Sequence, residues 1–222
     1  MDQQREPLFR GPWPVWVLAL AILGSYAVQS WTMTLEDAAR TWGMIPALVF
    51  PGRLHTLATD LFIHGGWGHV GMNALGALAF GAPLARHLGL GVKGAAGFFL
   101  FYLLCGVLSN LGYLALHPKD LMPLAGASGA VSGLFGAACR MIEHRPGVSP
   151  IVSRTVIAST AAWVVINAVM GFLHYAPGMG EVNVAWEAHI AGFVAGVLLT
   201  GPVSILFRQA PPPGLDEPAQ QV

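Results

Sequence analysis

Charge is what this chain has least of. Of its 222 residues only 10% are Asp, Glu, Lys or Arg, against about 25% in ordinary soluble domains, and 11 acidic residues cancel 11 basic ones. With zero formal net charge and no basic stripe, nucleic-acid binding has no electrostatic footing. Cysteine is scarce too. Cys105 and Cys139 both fall in apolar stretches, where they read as small packing residues and not as a disulfide framework or a metal site. No His-Glu-x-x-His helix occurs and no span carries His-x-x-x-His, so neither metal nor cofactor is expected. Alternating strand and helix patterns are missing, and Gly126-Ala127-Ser128-Gly129-Ala130 lacks the second glycine of Gly-x-Ser-x-Gly. A soluble serine hydrolase is thereby disfavoured.

What is present is apolar: 55% hydrophobic residues and 28 glycines, with a mean hydropathy of +0.60. These values define a membrane protein. Crossing a hydrocarbon core about 30 Å thick takes roughly 20 apolar residues, and six stretches qualify: 14–31, 67–86, 95–116, 121–142, 154–174 and 185–207. The expected fold is an all-α membrane protein of six transmembrane helices. Cations fix its orientation. With the N-terminus cytoplasmic, the inner segments hold Arg5, Arg10, Arg86, Lys93, Arg140, Arg145, Arg154 and Arg208, and the outer ones only Arg40, Arg53 and Lys119. Both termini are then cytoplasmic. Residues 1–13 form a cytoplasmic segment, 14–207 the membrane domain and 208–222, with Pro211-Pro212-Pro213, a disordered cytoplasmic tail. The long connection from Thr32 to about Gly66, carrying Trp42, Phe50 and Phe62, suits the outer interface, where aromatic rings are favoured.

This topology brings distant residues to one depth. Spans two, four and six all begin outside, so His69 and Asn73, Ser128, and His189 lie early in parallel-running helices. Starting near Gly126 and ending at Cys139, the fourth helix has an expected length of about 21 Å, short of the core, which recesses Ser128 below the outer surface. Helices in lipid associate through small residues that let backbones approach. Gly129, Gly133 and Gly136 line a stripe beside Ser128, and Gly192 and Gly196 share the face of His189. Glycine on both sides makes a serine–histidine hydrogen bond possible. Serine is a poor nucleophile until a base takes its proton, and histidine is suited to that exchange. No acidic residue holds a clear third position, so the expected arrangement is a dyad.

Each residue also has a plainer reading. Ser128 could bond a carbonyl one turn back, His69 and Asn73 could form an interhelical polar pair, and His189 could serve an ion or proton path. Together, however, His64 followed by His69-x-x-x-Asn73, Gly126-Ala127-Ser128-Gly129, and Ala188-His189-x-x-Gly192-x-x-x-Gly196 resemble the rhomboid family of intramembrane serine proteases over roughly residues 50–207. The resemblance implies a six-helix core, a Ser128/His189 dyad, an oxyanion hole including His69 and Asn73, and supporting roles for His64, Gly126, Gly129, Gly192 and Gly196. It implies transmembrane-protein substrates cut near their outer ends, in a lipid bilayer, with the plasma (inner) membrane of a bacterium as the expected location. The oligomeric state is left open. Two positions depart from the pattern. His55-Thr56 stands where many relatives carry Trp-Arg, and Ser132 stands where some place an aromatic against the histidine. Lateral substrate entry is expected beside the fifth span or its following loop, Tyr175-Ala176-Pro177-Gly178-Met179-Gly180. A non-catalytic rhomboid-like membrane-protein binder and, further off, a small transporter are the alternatives. Transport favours polar groups near midplane, and these cluster at one end.

Overall fold

The computed structural model describes residues 11–50, 52–142, 147–176, 180–181 and 184–209. Of the expected N-terminal segment 1–13 residues 1–10 lie outside this set, and of the expected tail 208–222 residues 210–222 do; Gln209 is described, its N–H donating to the Leu88 carbonyl at 3.0 Å. Among the described residues eight α-helices follow one another: α1 (Trp13–Thr32), α2 (Leu35–Trp42), α3 (Thr56–Thr59), α4 (Trp67–Leu88), α5 (Val92–Leu116), α6 (Ser128–Cys139), α7 (Arg154–Leu173) and α8 (Trp186–Phe207), with 3-10 turns at Pro46–Leu48 and Asp60–Phe62. Tyr175–Ala176 (β1) and Gly180–Glu181 (β2) form a two-residue antiparallel ladder between α7 and α8. The chain is a multi-pass integral membrane protein. Among the described residues, α1, α5, α7 and α8 are long and apolar enough to cross a membrane. Helix α4 matches them with 22 residues, but His69, Asn73, Arg86 and His87 dilute its apolar character.

The stretch expected as a fourth span, 121–142, is corrected. Only Ser128–Cys139 is helical, 12 residues and so about 18 Å long. Before it the chain is extended: Met44 and Leu124 exchange backbone hydrogen bonds of 2.9 and 2.7 Å, and Gly126 takes a φ of 134°. That conformation is open to glycine and strained for other residues, so the helix begins two residues later than the sequence suggests. Ser128 becomes its first residue.

Helix α6 is the axis of the bundle. Ten of its twelve residues are buried, in a core shared with Ala74 and Ala77 of α4, Phe101 and Cys105 of α5, and Ala195 and Val203 of α8. Glycine sets the spacing against α8. A Cβ on Gly192 would overlap the Gly129 carbonyl, one on Gly196 the Gly133 carbonyl, and one on Gly136 the Phe193 carbonyl. The two backbones are in direct contact along the seam. At its far end Arg140 does not reach out as a surface cation; it is buried, donating from Nε and Nη2 to the Ser149 carbonyl (2.9 and 2.7 Å) and from Nη1 to the Val197 carbonyl (2.8 Å). Carbonyls so capped tie the end of α6 to α8 and to the loop that follows α6.

The connection from α1 to α4 is anchored without Trp-Arg. Arg53 Nη2 donates to the Arg40 and Thr41 carbonyls (2.7 and 2.6 Å) and Thr59 Oγ1 to the Trp42 carbonyl (2.8 Å). Asn110 of α5 donates to the buried Asp60 carboxyl at 2.8 Å. Burial pushes that carboxyl well above its usual pKa, and the Asn110 hydrogen bond pulls the other way.

Candidate active site

Every element of the site meets at the end of the bundle where α4, α6 and α8 begin. Asp60 offers its carbonyl to the Gly126 N–H at 3.0 Å, which seats the extended turn ahead of α6. Ser109 Oγ of α5 donates to the Ala188 carbonyl at 2.6 Å, which seats the first turn of α8 beside it. A Cβ on Gly129 would overlap that same Ser109 side chain. Small residues and one hydroxyl thus bring the two helix starts into register.

The result is a short contact: His189 Nε2 and Ser128 Oγ are 2.8 Å apart, both side chains partly buried. That distance is a strong hydrogen bond. On the other edge of the ring, His189 Nδ1 stands 2.8 Å from Asn167 Oδ1 of α7. Asn167 is fully buried, and its Nδ2 donates to the Trp163 carbonyl at 2.9 Å. Sequence reasoning missed it. The search for a third group looked only at carboxylates, whereas an amide buried in an apolar span was itself a signal, since polar residues in lipid need partners. Glu187 lies elsewhere, 3.1 Å from Nε2 of His117, the residue that follows α5. Ser132 Oγ donates to the Ser128 carbonyl at 2.7 Å and leaves the histidine ring to Asn167.

Two polar side chains of α4, His69 and Asn73, stand early in that helix. The His69 ring lies against Gly126: a Cβ there would be 2.8 Å from its Nε2. Its Nδ1 accepts the Gly65 N–H at 3.4 Å, which leaves Nε2 to carry the proton on the side facing Gly126. Asn73, one turn along the same face of α4, is 5% exposed, and its Nδ2 has no hydrogen-bond partner among the described residues. An unpaired buried donor costs about 1–3 kcal/mol, so it calls for an acceptor. The first backbone N–H groups of α6 add to this, because a helix start leaves its donors unpaired within the helix.

His64 lies behind these groups. It is fully buried, its ring is edge-on to His69 with centroids 5.0 Å apart, and its Nε2 accepts the Ala127 N–H at 3.4 Å. Gln29 of α1 holds its backbone on both sides, donating to the His64 carbonyl at 2.8 Å and accepting its N–H at 3.0 Å. Burial and the neighbouring His69 lower the pKa of His64 to about 3, so the ring is neutral at neutral pH. Among the described residues no cluster of His, Cys, Asp or Glu is arranged to hold a metal ion.

Fold and site together define a multi-pass helical membrane protein with a serine and a histidine in contact at one end of a glycine-seamed helix pair. The family model for the rhomboid domain matches residues 51–205, and the chain belongs to the rhomboid family. It is 30% identical over 149 residues to YdcA of Bacillus subtilis (strain 168), which its name places among the rhomboid proteases, with 67% of each chain covered. The rhomboid protease GluP of the same organism is 28% identical over 151 residues, 68% of this chain and 26% of GluP. Rhomboid protein 1, mitochondrial, of Saccharomyces cerevisiae (strain ATCC 204508 / S288c) is 30% identical over 141 residues, 62% of this chain and 38% of that protein. This chain therefore spans well under half the length of the latter two.

Proposed function

We propose that this protein is an intramembrane serine endopeptidase that hydrolyses peptide bonds in or near transmembrane segments of membrane-protein substrates. One observation carries the reading: the 2.8 Å contact between Ser128 Oγ and His189 Nε2. In the proposed reaction Ser128 Oγ attacks the peptide carbonyl carbon while its proton passes to His189 Nε2. Collapse of the tetrahedral intermediate breaks the C–N bond, and the same proton leaves with the amine. Water then repeats the sequence on the acyl-enzyme, with His189 again the base. Asn73 Nδ2, His69 Nε2 and backbone N–H near Ser128 are the donors for the oxyanion, each commonly contributing about 2.7–4 kcal/mol to the transition state. Neutral donors do this without adding net charge in lipid.

The wider arrangement is part of the same proposal. Six membrane crossings, by α1, α4, α5, α6, α7 and α8, put both termini in the cytoplasm and the site toward the outer face of a bacterial plasma (inner) membrane; residues 14–207 are the membrane domain. Helix α6, about 18 Å long, is too short to span a core of about 30 Å, which supports a position for Ser128 below the outer surface, reached by a water-filled recess. A substrate segment unwinds there, since a regular helix keeps its carbonyls paired.

Reconstitution with single-span substrates tests this. Ser128→Ala and His189→Ala are expected to abolish cleavage and Asn73→Ala to lower kcat by about 10²-fold. Undiminished cleavage by Ser128→Ala would sink the proposal.

A further inference from the structure

We infer that Asn167 is a positioning residue that fixes the tautomer of His189 and holds its ring toward Ser128, so that the working unit is Ser128–His189–Asn167 and not a dyad. The inference rests on the protease reading above.

The argument starts at a backbone carbonyl. The Trp163 carbonyl can only accept, so the Asn167 atom 2.9 Å from it must be the amide nitrogen. The other end of the amide, 2.8 Å from His189 Nδ1, is then the oxygen, which also only accepts. Nδ1 must carry the ring proton. A neutral imidazole with its proton on Nδ1 presents a lone pair at Nε2, the atom facing Ser128 Oγ. One helical turn of α7 thereby sets which nitrogen can act as base. When Nε2 takes the serine proton, the Asn167 oxygen still accepts from Nδ1–H and faces the positive ring with the negative end of its dipole, without placing a carboxylate in the bilayer.

The location of this residue matters as much as its bond. Val156 and Asn167 are the only buried residues of α7. A displacement of that helix by about 1 Å would stretch the 2.8 Å contact beyond hydrogen-bonding range, and His189 would lose its orientation while Ser128, on α6, stayed in place. Readiness of the base is thus tied to the seating of α7.

The test uses the full protein in proteoliposomes with a single-span substrate, reading kcat and KM separately together with thermal denaturation. Asn167→Leu keeps the branching at Cγ and removes the acceptor, and Asn167→Ala removes it without added bulk; Asn167→Asp keeps an acceptor at the ring. We expect Asn167→Leu and Asn167→Ala to lose about 10²-fold or more in kcat, as loss of the correct tautomer does in serine proteases, with KM unchanged within about threefold. Asn167→Asp should recover to within about tenfold of wild type. Wild-type kcat in Asn167→Leu, or an Asn167→Asp variant as impaired as Asn167→Leu, would overturn the inference. Ser128→Ala in the same membranes separates the two readings. If it still cleaves, the protease assignment fails whatever Asn167 does; if it is inert while Asn167→Leu is fully active, only the role of Asn167 fails.

Discussion

Helices α6 and α7 each give one residue to the His189 ring's surroundings, yet they are held in opposite ways. In α6 ten of twelve residues are buried and glycines bring its backbone against that of α8. In α7 two of twenty are buried. Its contacts follow a single stripe. Val156 joins a small cluster with Cys139, Phe193 and Val197, Trp163 packs on Phe135 with ring centroids 5.0 Å apart, Asn167 meets His189, and Gly171 lies under the Trp186 ring. In lipid, burial of apolar surface drives little association. Backbone contact and buried polar bonds must hold the helices, and α6 has many of the first while α7 relies on few of the second. The proposed nucleophile thus sits on the more buried helix and the proposed orienting amide on the less buried one.

The sharpest way to break this contrast is to fill the seam. A valine at Gly192 has to displace the Gly129 carbonyl, a backbone atom with no room to yield. Overpacking of tight cores costs about 1–3 kcal/mol or more. Gly192→Val is therefore expected to lower the melting temperature in detergent and to abolish cleavage, because any shift of α8 moves His189 off Ser128. A variant with wild-type melting and turnover would show that the seam is not what sets the distance.

Legibility in the sequence followed the same division. The α6–α8 seam was readable because glycine spacing on an apolar span has one physical use, close approach, and because parallel-running spans share a depth. Helix α1 at Trp13–Thr32 and α8 at Trp186–Phe207 lie within a residue or two of the hydropathy limits, since apolar length alone decides them. The start of α6 was not readable to the residue. Its first turn is cut off by a backbone conformation at Gly126 and by the Met44–Leu124 pairing, which depends on a segment some eighty positions away. Asn167 was a readable polar group in an apolar span, missed because only carboxylates were considered; which residue it meets is decided by the packing of α7 on α8.

Acidification offers a milder probe, aimed at the loop that seats α6. His64 has a folded pKa of about 3 against an ordinary value of 6.5, so the neutral ring contributes stability that is fully present above pH 6.5 and is lost as pH falls toward 3. The slope is at most about 1.4 kcal/mol per pH unit. Asp60 acts in the opposite sense. With its pKa raised above 3.8, the penalty for ionising it is absent below that value and grows as pH rises. The two trends oppose each other, and the informative quantity is a difference between proteins. Melting of the wild type is expected to fall more steeply from pH 6.5 to 5 than melting of His64→Gln. Parallel curves would mean that the ring is hydrated at this pH range and that the loop does not seal the head of α6.

The smallest expected effect is on the open side of α7. Val165 is 61% exposed on a helix with little burial anywhere, and in a membrane that exposure is to lipid tails. Removing methyl groups from such a face leaves the protein's environment as apolar as before, so the transfer penalty that such a change carries in a soluble core is missing. Val165→Ala should change stability by less than about 0.5 kcal/mol and leave kcat unaltered, in contrast to Asn167→Leu only two positions away. If Val165→Ala instead destabilised the protein as a buried truncation does, by about 1 kcal/mol or more, α7 would have a partner on that face, and the difference between the rigid and the loose helix would be a property of the isolated chain alone.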